Sequence, residues 1–98
     1  MKVKVNQKLK LHDGVSPIKM EGNQDLTLGS VCINSILTPV QTDTVEQKLE
    51  KYDIFKKLRD GKAEVELSVE EIALLKKSIG TVNPPLIVGQ AFEMIEGK

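Results

Sequence analysis

Few side chains in this sequence have the type and spacing to do chemistry. There is one histidine and one cysteine in 98 residues. Cys32 and His12 would have to serve as thiol nucleophile and imidazole base. Cys32, however, falls on the apolar side of a predicted helix, where a free cysteine acts as a small hydrophobe. His12 falls at a predicted hairpin turn, a surface position. Glu70 and Glu71 could act as acid and base, but they occupy the first turn of a predicted helix, where carboxylates complement the helix dipole. Zinc takes about four Cys, His or carboxylate ligands, which one His and one Cys do not supply. No segment has the alternating oxygen ligands of an EF-hand loop, and no glycine cluster precedes a Lys-Ser or Lys-Thr pair as in a phosphate loop. No catalytic residue, metal ligand or cofactor is assigned, and the protein is expected not to be an enzyme.

A row of cations is the other feature with chemical reach. Lys2, Lys4, Lys8 and Lys10 project from one face of a predicted strand, and residues 1–20 carry five lysines against one aspartate. Such a row could lie along phosphates. Single-strand binders interleave aromatics for base stacking, and this region has none. Exposed lysines also keep a sheet edge soluble and unpaired. Nucleic-acid binding through these four lysines is therefore the alternative reading. A helix-turn-helix around Gly80 is rejected, because its recognition helix would run from Pro84 to Ile95 with no Lys or Arg.

The elements that must position these residues follow from periodicity. Val3, Val5, Leu9 and Leu11 alternate with the lysines, which predicts a strand with one buried face. Asp13-Gly14 is a turn signal, and Ile18 to Met20 would close a hairpin over about residues 2–20, as an edge strand because of Pro17. Glu21 to Asp25 is a polar turn. A helix is expected at about 28–38, with Thr27 as N-cap and Pro39 beyond its end. The next spans about 45–60, opened by a Thr44/Gln47 capping box and stopped at Gly61. Its apolar stripe is Val45, Leu49, Tyr52, Phe55 and Leu58. Ala63 to Leu67 alternates and is a candidate extra strand. Ser68 and Glu71 form a second capping box, opening a helix at about 69–79 that ends at Gly80 and buries Val69, Ile72, Leu75 and Ile79. The last helix, about 84–95, starts from Asn83 as cap with Pro84 at its first position. It is apolar on most of its circumference, the pattern of a helix covered on several sides. It is therefore expected at the centre of the domain or against a partner chain, with Gly89 allowing close helix contact.

The bulk composition agrees. Fourteen basic and fourteen acidic residues give a net charge of zero, where a nucleic-acid-binding domain is usually basic. The length suits one domain, residues 1–98, and three aromatic residues leave an aliphatic core. A single cysteine excludes an internal disulfide. No apolar run approaches ~20 residues, so no membrane span is expected, and with no signal-like start the expected location is the cytoplasm.

The layout resembles small uncharacterised accessory proteins of tailed bacteriophages and prophages. The resemblance is carried by Leu9-x-Leu11-x-Asp13-Gly14, Leu26-Thr27-Leu28-Gly29, Val65-x-Leu67-Ser68-x-Glu70-Glu71-Ile72 and Pro84-Pro85-Leu86-Ile87-Val88-Gly89-Gln90. It implies a phage accessory protein in the bacterial host cytoplasm, with no catalytic residues to transfer. The sequence thus predicts an α+β domain, an N-terminal β-hairpin packed on about four short helices. The expected function is a non-enzymatic protein-interaction module, an accessory or assembly protein, acting through self-association or a protein partner. The expected contact is Leu86, Ile87, Ala91, Phe92 and Met94 on the last helix.

Overall fold

The computed structural model describes residues 2–19, 24–61 and 63–97. In chain order the elements are β1 (Lys2–Lys4), α1 (Leu28–Leu37), α2 (Val45–Asp60), β2 (Glu64–Glu66), α3 (Val69–Val82) and α4 (Pro85–Glu96). This is the expected α+β architecture, N-terminal β-structure and a hairpin packed on four helices.

The hairpin turns at Asp13-Gly14. Gly14 takes φ +75°, and Asp13 Oδ1 accepts from the Val15 and Ser16 amides, the self-closing turn that aspartate favours. Leu11 N donates to Ser16 O, and Ile18 N to Leu9 O. A third segment closes the arrangement: Leu9 N donates to Leu26 O, and Leu26 N to Ile18 O. Leu9, Ile18 and Leu26 are thus bonded in a ring of three. The expected second strand ended at Met20 and the polar turn held Glu21, Gly22 and Asn23; these four positions lie outside the described residues.

The first strand is shorter than its alternation suggests. β1 pairs antiparallel with β2 in the register Lys2↔Glu66, Val3↔Val65, Lys4↔Glu64. After one further bond, Val5 N to Ala63 O, the chain turns at Val5-Asn6 and docks on the start of α1: Gly29 N donates to Val5 O and Leu28 N to Gln7 O. A Cβ on Gly29 would meet Val5 O at 3.0 Å, so this crossing requires glycine. Val3, Val5 and Leu9 are buried as expected, whereas Leu11 is exposed at the hairpin end.

Thr27 caps α1, and both capping boxes, Thr44/Gln47 and Ser68/Glu71, are formed. Gly80 does not end α3, which continues to Val82, and Val69 is exposed; the buried face is Ile72, Leu75, Ser78 and Ile79. Asn83 closes α3 rather than opening α4: its amide donates to Ile79 O and to Ser35 Oγ on α1. Pro84 is the N-cap residue of α4. Nor is α4 the central helix. That place belongs to α1, which contacts α2, α3 and α4 and buries Leu28, Val31, Cys32, Ser35 and Ile36. α4 fully buries only Ala91 and Ile95. A Cβ on Gly89 would meet nothing, whereas one on Gly80 would reach the Phe92 ring. Gly89 therefore serves no close helix contact, and a side chain at Gly80 would make only an ordinary van der Waals contact, at 3.9 Å.

Candidate functional site

α2 is turned relative to its expected orientation. Leu58 faces the core and Phe55 is half-buried, but the rest of the expected stripe is exposed: Val45 73%, Leu49 61% and Tyr52 51%. The core side of α2 is Lys51, Ile54 and Leu58, spaced at i, i+3 and i+7 as one helix face requires. A lysine in that row disguised it. Lys51 is only 7% exposed, and its ammonium pairs with Asp43, just ahead of the cap. A buried ammonium without such a partner would be costly, so Asp43 permits this face to turn inward.

Turning Ile54 inward leaves two apolar surfaces on one helix. The outward row Val45, Leu49, Tyr52 lies at i, i+4 and i+7. Beside it, Ile36, Leu37 and Pro39 from the end of α1 and Tyr52 from α2 line a groove of about 340 Å³, completed by Thr38, Asp43, Lys48 and Lys51. Leu37 is 51% exposed. Two carbonyls of the last turn of α1 are bonded here, Asn34 O accepting from Thr38 Oγ1 and Ser35 O from Thr38 N. Cations flank the aromatic rings on the outer side, Lys56 Nζ 5.1 Å from the Tyr52 centroid and the Arg59 guanidinium 5.6 Å from that of Phe55. The opposite edge of α2 is acidic: Glu50 and Asp53 line a cleft with Glu70 and Glu71 of α3.

The residues singled out from sequence fall elsewhere. On α4, Ala91 is fully buried; Ile87, Phe92 and Met94 are half-buried against the core; Leu86 is exposed. Lys2 and Lys4 are exposed on β1 opposite Glu66 and Glu64, the positions from which cross-strand side chains interact. Lys8 pairs with Asp25 at 2.8 Å, which Lys19 also binds at 2.5 Å. Lys10 is half-buried, and its backbone N–H and C=O are both bound by the Gln90 side chain at 2.7 Å. Gln90 thereby acts as one rung of a ladder between hairpin and α4. Lys2 and Lys4 do share a cleft with Met94 at the end of α4, which brings parts of the two expected sites together.

The candidate chemical groups lie in different surroundings. Burial pushes the Cys32 thiol up to about 12, which keeps it protonated and unreactive. His12 is exposed at the hairpin turn. Desolvation opposes ionisation of Glu71, but hydrogen bonds from Lys57 and Ser68 outweigh it and hold the carboxyl below its ordinary value, as a capping carboxylate requires. Among the described residues no group of three His, Cys, Asp or Glu side chains could hold a metal ion, and no helix is long and apolar enough to cross a membrane. No family model, curated protein or solved structure matches the chain.

Proposed function

We propose that the chain is a non-enzymatic protein-interaction module, of the kind small phage accessory or assembly proteins represent, and that it docks a segment of another protein on the α1–α2 face. The observation that supports this is the exposed row Val45, Leu49, Tyr52 beside exposed Leu37 and the groove. Single exposed leucines are ordinary on a protein surface, whereas a contiguous apolar patch with a polar rim is typical of a docking site. Tyrosine is among the residue types enriched in such contacts. α4 offers less, because Ala91 lies in the core and three of its other large side chains are half covered.

Magnitudes set the expected strength. Fully covering a Val or Leu side chain is worth about 1.5–3 kcal/mol, and association costs roughly 4–15 kcal/mol in lost freedom. The row alone barely meets that cost, so the groove must hold an anchor as well. Binding belongs in the weak, exchangeable class rather than among permanent assemblies.

The test is a sizing column with light scattering and absorbance at 260 and 280 nm, applied to wild type and Leu49→Asp from the native host, with and without prior chemical crosslinking in the cell, which retains an exchangeable partner. Wild type is expected to carry a second protein that Leu49→Asp loses, while both keep the same circular dichroism. A wild-type mass of two or more times 10.8 kDa that falls to the monomer in Leu49→Asp would put a second copy in the groove and overturn the reading of a different partner. An excess at 260 nm that falls steeply with salt and with Lys4→Glu would overturn it in favour of the lysine strand.

A further inference from the structure

Given the docking face proposed above, we infer that its partner presents a short acidic–apolar segment: one large apolar side chain enters the groove, and an adjacent carboxylate pairs with Lys48. The groove of about 340 Å³ lies at the small end of ligand-sized pockets. It has room for one or two side chains of a segment, not for a folded surface. Its walls, Ile36, Leu37, Pro39 and Tyr52, select an apolar anchor.

The charges around it then fix the rest of the segment. Three charged residues line the groove, Asp43, Lys48 and Lys51. Asp43 and Lys51 neutralise each other within it. Lys48 is exposed and has no ion pair among the described residues. Near the groove, the α1 carbonyls of Asn34 and Ser35 accept bonds from Thr38. Glu50 lies toward α3, away from the groove, and Asp53 beside it is paired with Lys56. The result is one site with an apolar pocket and, among the described residues, one lining cation without an ion pair.

A random twelve-residue peptide library, displayed and selected on the immobilised full-length protein, tests this directly. Selection on wild type is expected to enrich Asp or Glu within three positions of a Leu, Ile, Met or Phe. The same library on Lys48→Glu should lose the acidic bias. The best synthetic peptide should bind Lys48→Glu about fivefold more weakly, the size of roughly 1 kcal/mol from an exposed ion pair, and should lose affinity as salt rises. Apolar sequences without acidic bias, still dependent on Leu49, would overturn the acidic segment but leave the docking face standing. Sequences indifferent to both Leu49→Asp and Lys48→Glu would overturn both. Failure to enrich any sequence would overturn a short segment as the partner.

Discussion

Lys51 sits on the buried side of α2 with Asp43 as its ion-pair partner, and the outward row depends on that pairing. Removing one member of a buried pair leaves the other charged and unpartnered, at a cost of about 3 kcal/mol. Asp43→Ala is expected to lose about that much by urea denaturation. Asp43→Ala with Lys51→Met is expected to recover most of it, because no charge remains to be buried. Equal and additive losses would show that the pair does not hold α2. Asp25 gives a pH signature at the same scale. Hydrogen bonds from Lys19 and then Lys8 hold its carboxyl down to about 2, from an ordinary value of 3.8. A depressed carboxylate contributes stability that is complete above its unfolded value and lost as pH falls through the folded one. The ring that ties Leu9, Ile18 and Leu26 should therefore loosen between about pH 4 and pH 2. Carboxyl-carbon NMR should place the Asp25 midpoint near 2, and Asp25→Asn should remove the acid-dependent loss of amide protection at Leu26.

At the scale of elements, two glycines separate packing from propensity. A Cβ on Gly61 would meet Val65 Cγ2 at 2.3 Å and Lys57 O at 3.1 Å. Its φ is −74°, so glycine serves here for close approach to β2 and not for a left-handed turn. Gly61→Ala should destabilise by about 1–3 kcal/mol. Gly89 is helical and faces open space, so Gly89→Ala should stabilise by roughly 0.5–1 kcal/mol. Shifts of the urea midpoint in opposite directions, at constant m-value, would bear this out; a loss at Gly89 would place a neighbour there. Elements were legible in the sequence wherever a local interaction defines them: Thr27, Thr44/Gln47 and Ser68/Glu71 marked three helix starts, and Asp13-Gly14 the turn. Partners were not. Alternation from Val3 to Leu9 shows which side is buried, but not that β2 covers Val3 while the start of α1 meets Val5. The face of α2 was misread because Lys51 looks like a solvent residue until Asp43 stands beside it. An apolar α4 looked central, yet its half-buried Phe92 and Met94 only edge the core.

For the whole molecule, the arrangement gives α1 two roles. It packs against the other three helices, and its last turn supplies Ile36 and Leu37 to the groove. A segment bound there rests on a helix anchored from the far side by Asn83 through Ser35. The proposed docking face is therefore largely pre-formed, and binding there should stabilise the whole domain by mass action rather than reshape it. The charges of the molecule are arranged in the same sense. Lys8 and Lys19 of the hairpin both pair with Asp25, while Lys48 beside the groove has no ion pair among the described residues. The most direct measurement of where a partner sits is photo-crosslinking in the native host, with p-benzoylphenylalanine in place of Tyr52 and, as the comparison, in place of exposed Val15 at the hairpin turn. A discrete adduct to another protein from position 52, absent from position 15 and abolished by Leu49→Asp, is the predicted result. Adducts equal at the two positions, or none from position 52 while Phe92 replaced in the same way gives one, would contradict the α1–α2 docking face.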